Sequence, residues 1–377
     1  MRIIDRYLSR QFAQVFVVCF ISLTGLYIVI DAFGHLDEFI NQAGPQGGLF
    51  TVLTRYYGYR SLVFFDRTSS ILALISAMFT VTWIQRYNEL TALMAAGLPR
   101  LRIVMPVLIG AMSISLLGCG IREWIIPPVR GQLAVDSHDL SGQSGRAVHP
   151  RHDNRTGIFL DGDKVFPRQQ RITHPCIGLP ASLSRFGSRL EATSARYHPA
   201  NEVHPAGYLL KDVSRPQAVD ERPSLVVQGH PIIITSTDAE WLQAKECFVV
   251  TDVNAEMLED STSWRQYAST AELVRGLANT SVDFGADVRV AIHARLIKPL
   301  MDATLLMLGL PLVLTRNNRN VFMAIGLCLV VIVLFMLVVL ACQFLGASSM
   351  VRPALAAWLP LIIFVPVAAN SFAAFVE

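Results

Sequence analysis

A charge inside apolar sequence is costly and is usually retained for a reason. Two such places occur in this chain of 377 residues. Arg295, Lys298 and Asp302 fall within one apolar segment, and Lys298 and Asp302 are four apart, the spacing at which helical side chains pair. Asp66 and Arg67 stand near the end of another, at the expected depth of lipid head groups. Both groups support two readings. The cations snorkel to the membrane surface on flexible stems, or they form a rim that holds an anionic head group. A third stretch, residues 83–102, joins two apolar segments and suits docking. Ala92, Ala95 and Ala96 favour helix and permit close approach. Gly97 sits where a C-terminal cap is wanted, Pro99 follows, and Glu89 falls in the first turn. Arg86, Arg100 and Arg102 flank it. It reads either as an ordinary amphipathic loop between spans or as a coupling helix that passes motion from a soluble motor into the membrane.

Three common catalytic motifs are absent from the sequence. There is no Gly-x-x-x-x-Gly-Lys-Ser/Thr phosphate loop, no His-Glu-x-x-His and no Gly-x-Ser-x-Gly. His149 and His152 are three apart but lack companion ligands, so they read as solvated loop histidines rather than a metal site. Of the six cysteines, Cys19, Cys119, Cys328 and Cys342 lie in or beside apolar segments and read as inert fillers. Cys176 and Cys247 lie in polar sequence, where an oxidising compartment would let them pair.

Composition then fixes the elements that must position these residues. Charged residues make up 16% of the chain, against about 25% in an average soluble domain. Most of them lie in residues 121–290, so two apolar ends flank a polar middle. Mean hydropathy is +0.43. A net charge of +3 gives no argument for nucleic acid.

Residues 1–11 are basic and amphipathic, as expected of a surface helix feeding the first span. Apolar runs at 12–30, 62–84, 103–126, 291–314, 321–345 and 353–376 each approach the roughly 20 residues that cross a bilayer core. The first is too long for a signal-peptide core of about 7–15 residues, and no small-residue cleavage site follows. Residues 31–61 read as a loop with a Gly-Pro-Gln-Gly-Gly turn at 44–48, and residues 315–320 as a polar turn holding Arg316 and Arg319.

Pro127 and Pro128 end the first membrane half, and alternating runs at 189–198, 207–213, 231–237 and 246–253 read as strands. Ser269-Thr270-Ala271-Glu272 is a capping box that opens a short helix at about 270–278. The expected fold is an α-helical polytopic membrane protein of six transmembrane helices, three plus three, with an inserted all-β domain. The expected boundaries are 1–126, 127–287 and 288–377.

Short-loop arginines set the orientation. Placing Arg2, Arg6, Arg10, Arg86, Arg100, Arg102, Arg316 and Arg319 inside leaves Arg55, Arg60, Arg67 and Arg352 outside. The termini and residues 83–102 are then cytoplasmic and the β domain is extracytoplasmic.

These residues together resemble a known family, the LptF/LptG permeases of lipopolysaccharide export. Four stretches carry the resemblance. They are Asp5-Arg6-Tyr7-Leu8, the run from Gln85 through Glu89 and Leu90 to Gly97, Arg122-Glu123-Trp124 with Pro127, and Arg295-Leu296-Ile297-Lys298-Pro299-Leu300 with Gly309-Leu310-Pro311-Leu312 and Arg316.

The resemblance implies a jellyroll-like β domain on the periplasmic side of a bacterial inner membrane. It implies pairing with a second permease subunit, a dimer of an LptB-like cytoplasmic ABC ATPase beneath, and a periplasmic bridge protein of LptC or LptA type. The lipid cargo, lipopolysaccharide or a similar amphiphile, enters sideways between first and fifth spans of the two partners. No cofactor is expected on this chain; ATP and Mg belong to the ATPase. Carried over residue by residue, Arg86, Glu89, Leu90, Leu93 and Gly97 shape the coupling helix at about 86–98, with Glu89 on the ATPase.

One departure is Asp31, which stands where relatives often carry a lysine for lipid phosphate. Head-group candidates are therefore Arg55, Arg60 and Arg67, together with Arg295 and Lys298. The second span also lacks a proline common in relatives, and Asp37-Glu38-Phe39 points to the LptG type. Two other classes stay open: a lipid-modifying membrane enzyme using Asp31, Asp66 and His293, and a structural or sensor protein with an outer β domain.

Overall fold

The computed structural model describes the chain except residues 1–2, 44–47, 134–144, 167–168, 181–185, 202–203, 228–229, 259–264, 279–284, 315–320 and 377. Arg2, most of the turn at 44–48, and the turn with Arg316 and Arg319 therefore lie outside the described residues. The chain divides into two compact units, Met1–Val129 with Gly285–Glu377, and Arg130–Phe284.

The first unit is helical. Its helices are α1 (Ile3–Gly34), α2 (Leu36–Ala43), α3 (Leu49–Arg86), α4 (Glu89–Ala95), α5 (Arg100–Gly120), α6 (Gly285–Leu314), α7 (Val321–Ala347) and α8 (Pro353–Val376). A π-helical turn, Ile121–Ile125, continues α5. Among the described residues, five helices are long and apolar enough to cross a membrane: Ile3–Gly34, Leu49–Arg86, Arg100–Ile125, Gly326–Ala347 and Pro353–Ala373. Helix α6 has 30 residues, ample length, but Arg295, Lys298 and Asp302 interrupt its apolar run.

Two expectations need correction. The surface helix and the first span are one continuous helix, α1. Leu8, Phe12 and Phe16 are buried at intervals of four, so a single packed stripe runs through the expected junction. The expected loop at 31–61 is largely helical. Phe39 of α2 is fully buried, with its ring 5.2 Å from that of Tyr56 and 6.0 Å from that of Tyr57. Those tyrosines, with Val52, extend the buried face of α3 beyond the apolar run. An aromatic-rich polar stretch can thus fold as helix without hydropathy announcing it.

Small residues let the helices approach closely. Ala73, Ala77, Ala111 and Ala357 are buried in one cluster with Leu74, Leu305 and Leu361. At Gly309 of α6 an added Cβ would lie 2.7 Å from Leu74 Cδ1 and 3.2 Å from Cys328 Sγ.

The described residues of the second unit form an antiparallel sheet of eleven strands, with short helices beside it. They are β1 (Arg146–Ala147), β2 (Arg151–Asp153), β3 (Ile158–Asp161), β4 (Lys164–Phe166), β5 (Arg171–Thr173), β6 (Cys176–Gly178), β7 (Arg189–His198), β8 (Gly207–Arg215), β9 (Leu225–Val227), β10 (His230–Thr235) and β11 (Cys247–Val250). The main order is β1-β4-β5-β7-β8-β11-β10-β9, and a branch β2-β3-β6 also joins β7. The fork is possible because β7 is ten residues long. Its start, Arg189–Glu191, pairs with β6; Ser194–Arg196 further along pairs with β5; β8 runs along the other side.

The side chains of Ile158, Leu160, Ile177, Leu190 and Phe248 are fully buried. Buried Asp153 accepts from the Thr251 hydroxyl at 2.7 Å and the Arg155 amide at 2.9 Å. The capping box forms reciprocally: Glu272 N donates to Ser269 Oγ at 3.1 Å and Ser269 N to Glu272 Oε2 at 2.9 Å. Helix Thr270–Ala278 follows.

Cys176 and Cys247 are free thiols on β6 and β11, so the pairing left open by the sequence is not made. Burial pushes the Cys247 thiol up to about 12, so it stays protonated at neutral pH. Cys247 should therefore resist maleimide at pH 7–8 in the folded chain and label on unfolding, as mass spectrometry of the labelled peptide will report. Gly309→Val should lower the detergent melting temperature, at a cost of about 1–3 kcal/mol from overpacking.

Candidate functional site

Two sites emerge from the helical unit: an exposed short helix, and a buried cluster of charges. Helix α4 has only seven residues, too few to be stable alone. Each end is a backbone switch. Asn88, the N-cap, has φ 58°, a left-handed conformation that asparagine tolerates. Gly97 has φ 83°, with nothing within 4 Å of an added Cβ, so its requirement for glycine is purely conformational. Leu98 N bonds to Leu93 O at 3.2 Å and Gly97 N to Met94 O at 2.9 Å, the paired closure of a Schellman cap.

One face of α4 anchors it. Leu90 is buried, and Leu93, Met94 and Leu98 pack against the same cluster. A small apolar pocket beside Leu90 is lined by Val81, Ile84, Ile103, Val104 and Val107. The other face presents Thr91, Ala92, Ala95 and Ala96 to the exterior, with Arg86 and Arg100 exposed at either end. Of the residues carried over, Leu90 and Leu93 thus hold the helix, Gly97 ends it, and Arg86 is exposed. Glu89 is half-buried, and its two carboxylate oxygens accept from the Tyr7 hydroxyl at 3.3 and 3.2 Å. Nearby, Arg102 Nη2 donates to Asp5 Oδ2 at 3.1 Å.

The buried cluster lies among α3, the π-helical turn and α6. Asp66 is 1% exposed. Arg122 Nη1 donates to its Oδ2. Lys298 Nζ reaches its Oδ1 at 3.1 Å and its backbone carbonyl at 2.8 Å. Asp302 is also buried and accepts from the Ser115 hydroxyl of α5. Asp66 therefore faces into the helices rather than outward, and the pairing that the spacing of Lys298 and Asp302 allows gives way to partners on other helices. The π-helical turn, closed by Ile126 N to Ile121 O at 2.9 Å, continues α5 so that Arg122 meets Asp66.

The other head-group candidates are dispersed. Arg55 and Arg67 are exposed on α3. Arg60 is half-buried, its guanidinium 4.4 Å from the centroid of Tyr56. Asp31 accepts from Tyr57 at 2.8 Å, and His35 Nδ1 lies 3.0 Å from the Asp31 carbonyl. Arg295 is half-buried on α6, near Arg122, Glu123 and Asp66.

Sequence reading missed the Tyr7 and Ser115 contacts, because the partners lie 82 and 187 residues away. It also missed the pairing of Arg122 with Asp66, 56 residues apart. The only available signal was the resemblance of the stretches holding Tyr7 and Arg122.

Comparison with known families gives one match. Residues 6–373 match the family described as "Lipopolysaccharide export system permease LptF/LptG". No curated relative matches the chain.

Removing one member of a buried ion pair typically costs about 3–5 kcal/mol. Asp66→Ala should accordingly destabilise the helical unit by an amount of that order, read as a large fall in detergent melting temperature. Arg67→Ala, on an exposed neighbour, should change it little.

Proposed function

The chain belongs to the LptF/LptG family of lipopolysaccharide export permeases, and from that premise we propose that it is the subunit through which a separate ABC ATPase drives lipid out of the inner membrane. A family match spanning both ends of the chain and the intervening sheet carries this reading. Its members are permease components rather than enzymes.

The coupling role falls to α4. A helix with small, exposed residues on one face and leucines seated on the other suits a groove in a soluble partner. The left-handed residues at its ends fix its orientation relative to α3 and α5. Glu89 supplies a carboxylate for a cation on the ATPase, and Arg86 a cation beside it. Leu90 and Leu93 transmit displacement of α4 to the helices beneath. ATP and Mg stay on the ATPase.

Helix α6 completes a set of six spans, with Lys298 and Asp302 bonded inside the unit. The β unit is the periplasmic jellyroll that receives the lipid and hands it to a bridge protein, and the termini are cytoplasmic. A second permease subunit completes the lipid cavity. Arg55, Arg60 and Arg67 on α3 are the cations available to an anionic head group, with Arg295 near the same depth as Asp66. Lys298 serves Asp66 instead. The segment Asp37-Glu38-Phe39 favours the LptG type.

Glu89→Arg should abolish lipopolysaccharide export and co-purification of the ATPase, while membrane insertion is retained. A cysteine at Ala95 should be protected from a membrane-impermeant maleimide in intact cells and labelled in inverted vesicles. Export at the wild-type level by Glu89→Arg, or labelling at Ala95→Cys from outside, would overturn the assignment.

A further inference from the structure

Helix α4 is too short to fix its own side chains, and its two ends are single left-handed residues. Its placement depends on what it rests on, and part of that support comes from the start of the chain. Leu8 of α1 is fully buried in the same cluster as Leu90. One residue before it, Tyr7 crosses to α4 and donates its hydroxyl to Glu89. Two residues earlier, Asp5 takes the hydrogen bond from Arg102 at the start of α5. The two polar ties bracket α4, one on its first residue and one on the helix that follows it.

We infer that Tyr7 is a positioning residue for Glu89: its hydroxyl holds the carboxylate in the orientation in which a cation on the ATPase meets it. A glutamate has three rotatable side-chain bonds, and ordering it at an interface opposes binding. A donor within the same chain carries out part of that ordering before the partner arrives. Tyr7 is 43% exposed. Its hydroxyl is therefore not required to satisfy a buried core, which separates the contact from a purely structural one. This inference rests on the docking role of α4 proposed above.

The test is a double-mutant cycle on full-length chain, assembled with its partner permease in nanodiscs. The probe is the purified, nucleotide-free ABC ATPase of the same export system. Tyr7→Phe removes only the hydroxyl and should weaken ATPase binding by about threefold to tenfold. Glu89→Gln should weaken it more, and adding Tyr7→Phe to a Glu89→Ala background, which has no acceptor for the hydroxyl, should have no further effect. The melting temperature of the permease should stay at the wild-type value in Tyr7→Phe.

Three results would overturn the inference, and they are distinguishable. Wild-type binding by Tyr7→Phe with weakened binding by Glu89→Gln rejects the positioning role and leaves the docking role standing. An equal loss from Tyr7→Phe in both backgrounds shows that Tyr7 acts through something other than Glu89. Wild-type binding by Glu89→Gln rejects the docking role, and the positioning role with it.

Discussion

The charge on Asp66 constrains the helical unit more than any other group described. A carboxylate 1% exposed among apolar helices is tolerated only when cations and donors surround it closely. Those cations come from residues 56 and 232 positions further along the chain. Satisfying one carboxylate therefore joins three pieces of sequence, in α3, the turn after α5 and α6. Ser115 and Asp302 add a second cross-link between α5 and α6. The N-terminal and C-terminal portions of the helical unit are thus tied by polar bonds as well as by packing, at the positions where hydrophobic contact alone is least specific.

This arrangement changes how the membrane charges are read. Cations near a span's end can contact a lipid head group, reach the surface, or neutralise a buried acid. Lys298 takes the third course. Arg55 and Arg67, by contrast, are exposed on α3. Family membership sets these charges in a permease component of lipopolysaccharide export.

The sequence made some of this legible and hid the rest for physical reasons. Apolar runs locate spans because a bilayer demands a fixed length of hydrocarbon-compatible helix. They do not locate helix ends, as α1 and α3 show by continuing through polar residues whose aromatic or leucine neighbours are buried. The cap of α4 was readable because Gly97 and Pro99 act within one turn. The partners of Asp66 were not, because helical spacing reveals only neighbours three or four residues away; Lys298 and Asp302 satisfy that spacing yet bond elsewhere. In the sheet, the runs at 189–198, 207–213, 231–237 and 246–253 correspond to β7, β8, β10 and β11, whereas strands such as β1 and β3, of two and four residues between turns, did not stand out.

The fork at β7 has a consequence for how the β unit assembles. One strand carries the register for both the β6 branch and the β5 branch, as well as for β8 on its far side. A slip of a single residue would turn Leu190 and Ala195 outward together and misalign both branches at once. The branches therefore cannot settle independently of each other. The strands on either flank of β7 thus share one source of alignment.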